Sequence, residues 1–288
     1  MTTALSLRSL LSDTALPANE ARMLMAFVLD KHYQLPRSAV LSRDNMELGS
    51  NALEEWRALE AKRLEGQPIA YLIGKRGFHN IELQVAPGVL IPRPETELLV
   101  EIGLREISRL KKLPGENPSI TALDLGTGSG AIALALAYDA PHVNILATDQ
   151  SADALNIAKA NAQALHLESH VQFSQGSWYA ALQQPVRFDI ILSNPPYIAQ
   201  CDPHLSEGDL RFEPISALTD HSNGLSCLEE IVRNAPKYLK STGLIAVEHG
   251  FDQSAAVVEL MNAAGLTDIQ THQDLAGHFR VASGRNSS

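Results

Sequence analysis

Leu123-Asp124-Leu125-Gly126-Thr127-Gly128-Ser129-Gly130 joins a short apolar run to a helix-forming segment. Glycines at alternate positions permit sharp backbone dihedrals and let a ligand approach the main chain closely. In an open α/β sheet, ligands bind outside the carboxyl ends of the strands. Gly126, Thr127, Gly128, Ser129 and Gly130 therefore read as a cofactor-binding turn after a first strand. Working outward, short apolar runs recur at 120–125, 143–147, 171–174, 190–193 and 244–248. Helix-like segments at 131–138, 153–165 and 225–239 separate them. That alternation predicts an α/β domain with a mostly parallel sheet covered on both faces. Residues 266–282 are expected to add two more strands, giving seven. The polar tail Arg285-Asn286-Ser287-Ser288 reads as a frayed end.

Asp149 closes the second strand in Ala147-Thr148-Asp149. A carboxylate there can accept from both hydroxyls of a ribose, so the turn and Asp149 together imply a nucleoside-containing cofactor. Gly126, Gly128 and Ala131 also satisfy the looser dinucleotide pattern. Asp124 ahead of the first glycine, together with Gly130, fits S-adenosylmethionine better, with the carboxylate near the cofactor's amino-acid end. Trp178 follows the third strand, where it can either stack beside an adenine ring or cover the core.

Asn194-Pro195-Pro196-Tyr197 follows the fourth strand. The two prolines lack N–H donors, and Asn194, preceding a proline, is held extended. Their carbonyls and the Asn194 side-chain oxygen make a stiff, acceptor-rich tip beside an aromatic ring. Such a tip suits a flat group ending in –NH2. Asn194, Pro195 and Tyr197 are thus the candidate catalytic residues, and Asn194 through Tyr197, Pro196 included, the candidate substrate contacts. A glycine turn and this tip on neighbouring strand ends point to methyl transfer onto a planar nitrogen.

The remaining features narrow the class. The formal net charge of −10 disfavours a nucleic-acid substrate and suits a basic protein partner. No apolar run is long enough to span a bilayer, and the first residues lack a secretory signal, so a cytoplasmic location and no membrane partner are expected. Cys201 and Cys227 read as free thiols. His166 and His170 read as a solvated stretch between helix and strand, and no metal is expected.

Residues 1–76 read as a helical domain, either packed on the rest or docking a substrate. Helices are predicted around 19–29 and over 50–64, the latter capped by Ser50-Asn51, with Glu54-Glu55 in its first turn and Leu53, Trp56, Leu59 and Leu64 on its apolar side. Residues 77–97 read as a hairpin linker whose strand 78–85 turns at Ala86-Pro87-Gly88. Thr96 or Glu95 is expected to start the next helix, over 98–110, in a domain 98–288. Arg93 and Glu213 can each line a substrate channel or fix the hairpin by ion pairing, and the structural role is favoured.

Together these residues resemble the peptide chain release factor glutamine N5-methyltransferases, the PrmC/HemK family. The likeness runs through Leu90-Ile91-Pro92-Arg93-Pro94-Glu95-Thr96-Glu97, the 124–130 turn, Asn194-Pro195-Pro196-Tyr197-Ile198 and Arg211-Phe212-Glu213-Pro214. It implies a class I S-adenosylmethionine-dependent methyltransferase domain behind a small helical domain. It also implies methyl transfer to the glutamine amide of the Gly-Gly-Gln motif in release factors 1 and 2, with S-adenosyl-L-homocysteine as product. Carried over, the Gly126–Gly130 turn, Asp149, Trp178 and Asn194 would contact the cofactor, and Asn194 through Tyr197 the glutamine. His278 and Phe279 depart from the more polar residues expected there. The Asn-Pro-Pro-Tyr tip is shared with N6-adenine methyltransferases, which are the main rival. A release-factor-binding module without catalysis is the second.

Overall fold

The computed structural model describes residues 5–113, 119–182, 184 and 186–287. Met1–Ala4 and Ser288, which the sequence reading placed in the helical domain and the tail, lie outside the described residues. The chain divides into two compact units, Met1–Gly74 and Lys75–Ser288.

The first unit is helical: α1 (Leu7–Asp13), α2 (Ala18–Tyr33), α3 (Ala39–Ser42), α4 (Ser50–Leu64) and α5 (Ile69–Ile73). Its core gathers Leu24, Met25, Val28 and Leu29 of α2 around Trp56 and Leu59 of α4. Glu20 of α2 takes Arg63 of α4 through two hydrogen bonds, at 2.7 and 2.9 Å. Three expectations for α4 change. Gly49, not Ser50, is the N-cap, and no side chain caps the helix. Glu55 pairs with Lys31 and His32 of α2 rather than complementing the helix terminus. Leu64, expected on the apolar side, is exposed.

The second unit opens with a hairpin, β1 (Lys75–Phe78) and β2 (Ile81–Gln84). Phe78 faces Ile81 in the register, so the turn is His79-Asn80, with His79 at φ 50°. The chain reverses here and not at 86–88 as expected, because alternation running through 78–85 resembles one strand. Residues 85–93 are not strand. A 3₁₀ turn, Pro94–Thr96, leads into α6 (Glu97–Lys111).

There follow β3 (Thr121–Leu125), α7 (Ala131–Asp139), β4 (Asn144–Asp149), α8 (Ala152–Ala164), β5 (Val171–Gln175), β6 (Phe188–Ser193), α9 (Ile215–Leu218), α10 (Ser226–Tyr238), β7 (Leu239–Glu248), α11 (Ser254–Ala263), β8 (Thr267–Gln273) and β9 (Phe279–Arg285). The seven-stranded sheet has the order β5-β4-β3-β6-β7-β9-β8. The five strands β3 to β7 run parallel, and β9 is antiparallel to both its neighbours. Residues 131–137 of α7 are buried all round, which explains why its sequence is apolar on every face. α11 falls in a stretch where no helix is expected from the sequence.

Arg285 and Asn286, expected to fray, are tied to the fold. Arg285 bonds both oxygens of Glu106, at 2.8 and 2.7 Å. The Asn286 side chain, nearly buried, donates to the carbonyls of Pro236, Leu239 and Lys240. Those carbonyls lie where α10 ends and β7 begins, so the Asn286 amide ties the tail to that junction. His166 takes φ 57° just past α8, a left-handed helix stop, with Leu167 N–H bonded back to Ala162.

Candidate active site

The chain builds the sheet outward from β3 in one direction, then returns to place β6 on the other side of β3. That reversal opens a crevice at the carboxyl ends of β3 and β6. Leu125 and Ser193 are register partners, and the Ser193 hydroxyl donates to the Leu125 carbonyl at 2.7 Å. The glycine turn and the Asn-Pro-Pro-Tyr tip therefore leave the sheet side by side. They border a solvent-open cleft.

The glycine turn is held by its neighbours. Gly126 and Thr127 N–H both donate to the Thr148 carbonyl at 2.9 Å. Gly128 N–H donates to Asp149 Oδ2 at 2.9 Å, and Ser151 N–H to Oδ1 at 2.9 Å. Gly126, Gly128 and Gly130 all take positive φ, the region glycine alone enters without strain. A side chain on Gly128 would meet nothing within 4 Å, whereas one on Gly130 would strike Leu134 at 2.8 Å. Gly128 thus leaves room for a ligand, and Gly130 serves the packing of α7. Asn161 of α8 ties the turn to β2: its side chain accepts from Gln84 N–H at 2.7 Å and donates to the Ser129 carbonyl at 2.9 Å.

Asp124 does not reach the cleft. It is buried, accepting from the Thr127 hydroxyl at 2.6 Å and from Ala133 N–H at 3.2 Å. Burial raises its pKa to about 7, against those two bonds, with nearby Asp149 raising it further. Its place is as an internal brace, correcting the expectation that it holds a cofactor. Asp149 does line the cleft. Burial pushes its pKa up, opposed by the amides of Ser151, Gly128 and Gln150. Trp178 also lines the cleft, and its ring lies over Gly126, 3.2 Å from where a side chain there would begin.

Of the other residues singled out, Thr127, Ser129, Asn194 and Pro196 line the cleft. Gly130, Pro195 and Tyr197 are not in its wall. Tyr197 turns inward, packing on the core beneath β7, and its hydroxyl donates to Glu248 Oε1 at 3.1 Å. Burial, with the Glu248 charge beside it, raises the Tyr197 pKa.

Four supports of the tip were not evident in the sequence. Thr96 is 4% exposed, and its hydroxyl accepts from Asn194 Nδ2 at 2.9 Å, which leaves the Asn194 side-chain oxygen for another donor. Glu248 ends β7 and anchors Tyr197. Gln253 donates to the Tyr197 carbonyl at 2.9 Å and accepts from Gly250 N–H at 2.8 Å. Gly224, at φ +85°, lies so close that a side chain would fall 2.4 Å from the Tyr197 carbonyl. Arg93 lines the cleft and also pairs with Glu213, whose second oxygen accepts from Ile91 N–H at 2.9 Å. That pair secures Pro214, which with Ser216 and Ala217 forms one cleft wall.

Residues 6–74 match the PrmC N-terminal domain, and residues 107–207 match the methyltransferase small domain. A release factor glutamine methyltransferase from Burkholderia pseudomallei (strain K96243) is 43% identical over 280 residues, 96% of this chain and 94% of that protein. The chain belongs to the release factor glutamine methyltransferase family. One from Xylella fastidiosa (strain 9a5c), another member, is 46% identical over 266 residues, covering 92% of each chain. Among solved structures, the hMettl16 catalytic domain in complex with MAT2A 3'UTR hairpin 6 matches with a TM-score of 0.56. It is 14% identical and covers 83% of each chain, a likeness of fold alone. The second unit is therefore a class I methyltransferase domain with a mostly parallel seven-stranded sheet. Among the described residues, no group of three His, Cys, Asp or Glu is placed to hold a metal ion, and no helix is long and apolar enough to cross a membrane.

Proposed function

We propose that this chain transfers a methyl group from S-adenosylmethionine to the side-chain amide nitrogen of the Gly-Gly-Gln glutamine in release factors 1 and 2. The observation that carries the reading is the Asn194 amide. Its nitrogen is engaged by Thr96, so its oxygen is the end offered to the cleft. The cleft fits the cofactor: a glycine turn with open space at Gly128, the Asp149 carboxylate at the next strand end, and the Trp178 ring beside them. Gly126 to Ser129 would hold its amino-acid end, Asp149 its ribose, and Trp178 its adenine. When bound, it supplies a methyl already activated on a sulfonium.

The remaining work falls to the tip. A glutamine amide nitrogen is a weak nucleophile because its lone pair is delocalised into the carbonyl. Asn194 Oδ1 and the Pro195 carbonyl accept its two N–H bonds, aim the nitrogen and favour positive charge developing there. Tyr197, fixed through Glu248, stiffens the far end of the tip. Positioning of this kind contributes at most roughly 7–11 kcal/mol. The proton leaves to water after transfer. We assign residues 5–74 to docking of the protein substrate. The net charge of −10 supports a protein rather than a nucleic-acid substrate, and a cytoplasmic site of action follows from that substrate.

A labelled-methyl assay with three acceptors tests this: a release factor, the same factor with its motif glutamine replaced, and a mixed nucleic acid. Label is expected in the first only. Label in the nucleic acid alone would favour adenine methylation, and label in none would favour a binding module.

A further inference from the structure

The geometry points to an apolar ledge beside the tip, formed by Phe251, Leu275 and His278, which seats a large apolar side chain of the protein substrate next to the glutamine to be methylated. Phe251 is 62% exposed, and Leu275 is fully exposed. The Phe251 and His278 rings lie 6.0 Å apart between centres, tilted by 56°. The Arg280 guanidinium lies 5.8 Å from the centre of the Phe251 ring. Phe279, between His278 and Arg280, is 41% exposed. Exposed apolar side chains scattered singly need no explanation, but a gathered group marks a contact surface. His278 and Phe279, where more polar residues are expected from the sequence, both belong to this group.

Two loops carry the ledge, and hydrogen bonds tie both to the tip. Phe251 lies in the loop after β7, between Gly250 and Gln253. Gly250 N–H donates to the Gln253 side chain at 2.8 Å, and Gln253 donates to the Tyr197 carbonyl at 2.9 Å. Leu275 and His278 lie in the turn between β8 and β9. Asp274 builds that turn: its Oδ1 accepts from Ala276 N–H and His278 N–H, each at 2.9 Å, and its Oδ2 from Arg280 Nε at 3.3 Å. His249 N–H donates to the Arg280 carbonyl at 2.9 Å, joining the turn to the loop after β7. β7 runs parallel to β6, with Val247 opposite Ser193, so both loops stand at the strand ends where the tip begins. The apolar groups are thus held out to solvent by satisfied polar bonds, and a partner meets a surface already in place.

Charge and position decide the occupant. Aromatic rings can also stack on nucleobases, but a nucleic acid brings phosphates with it. Here Asp252 is exposed beside Phe251, and Arg280 is already paired with Asp274. Leu275 adds an aliphatic surface, which suits an apolar side chain better than a base. The ledge therefore fits a protein segment, and its link to Tyr197 places it against residues flanking the glutamine rather than the glutamine itself. A contact of this kind is made equally before and during methyl transfer. It strengthens binding of the acceptor and appears in KM, not in kcat. Phe251, Leu275 and His278 are not in the cleft wall, so the cofactor does not sense them.

This inference rests on a release factor being the methyl acceptor, and the two can fail separately. The experiment measures kcat, KM for a release factor and cofactor Kd for the wild type, Phe251→Ala, Phe251→Leu, Leu275→Ser and Val186→Ser. Val186 is an exposed apolar residue just before β6, at the opposite end of the sheet, and serves as the control. Phe251→Ala and Leu275→Ser are each expected to raise KM about tenfold while kcat and cofactor Kd stay at wild-type values. Phe251→Leu, which keeps an apolar contact, is expected to recover most of that loss, and Val186→Ser to match the wild type. Wild-type KM in both Phe251→Ala and Leu275→Ser overturns the ledge and leaves the acceptor reading standing. A fall in kcat without a rise in KM also overturns it, because Phe251 would then only brace the tip. If Phe251→Ala does not fold, Leu275→Ser decides alone, since a fully exposed side chain supports nothing beneath it. Weakened binding of a single-stranded oligonucleotide by Phe251→Ala, beside an unchanged KM for the release factor, would assign the ledge to bases and overturn the proposal. A release factor left unmethylated by the wild type sinks the acceptor reading and the ledge with it.

Discussion

The side-chain nitrogen of Asn194 donates to the hydroxyl oxygen of Thr96 at 2.9 Å, across 98 residues of chain. One bond thereby decides the polarity of the tip, because an amide with its nitrogen engaged offers its oxygen. Asn194→Ala is expected to lower kcat by on the order of 10²–10³, as loss of a pre-aimed polar group does in other enzymes. Cofactor affinity should change far less. Steady-state kinetics with calorimetric cofactor titration separates the two, and near-normal kcat would contradict the assigned role.

Asp149 braces the turn through Gly128 and Ser151 and still faces the cleft. Asp149→Ala should therefore weaken cofactor binding both by removing the ribose acceptor and by loosening the turn. A loss of about tenfold to a hundredfold in Kd is expected, on the scale of one or two hydrogen bonds to a charged group. An unchanged Kd would exclude the ribose contact.

Gly224 packs its backbone against the carbonyl of Tyr197. Gly224→Ala must push the two apart and also strains a positive φ. It is expected to reduce kcat by about tenfold with the cofactor Kd unaltered, since the tip moves and the glycine turn does not. Wild-type kcat would show that the tip tolerates displacement.

Asp124 links stability to pH. Burial raises its folded-state pKa to about 7 from an ordinary 3.8. Between those values the folded protein keeps a proton that the unfolded chain releases. Asp124 thus favours folding least once the pH has risen through about 7, and most below its ordinary value. Asp124→Asn removes the ionisation, so its unfolding free energy should gain on the wild type as the pH rises through that window. Urea unfolding at several pH values checks the sign, and a constant difference would contradict it.

The sheet was readable because parallel strands buried on both faces appear as continuous apolar runs, and five such runs alternate with helices. The topology then made Gly126 and Asn194 neighbours through the Leu125–Ser193 register. What stayed hidden were single polar residues whose partners lie far along the chain. Thr96 looked like a helix start, yet its side chain goes to Asn194. Glu248 closes an apolar strand, and a carboxylate following Ile245-Ala246-Val247 was the one available hint that something buried needed an acceptor. Gln253, Gly224 and Asn161 gave no such hint, because backbone contacts across loops leave no periodicity. The hairpin turn was misplaced for a related reason: His79-Asn80 interrupts the strands without a glycine or proline to mark it. The tail's polar composition concealed Asn286, whose amide bonds backbone carbonyls at the α10–β7 junction.

The most direct measurement is where the methyl group lands. A release factor incubated with the protein and S-adenosylmethionine, digested and mapped by mass spectrometry, should carry one added methyl on the side-chain amide nitrogen of the Gly-Gly-Gln glutamine. The same factor incubated with Asn194→Ala should carry little. A methyl found on any other side chain, or an unmodified glutamine after prolonged incubation with active protein, would contradict the assignment.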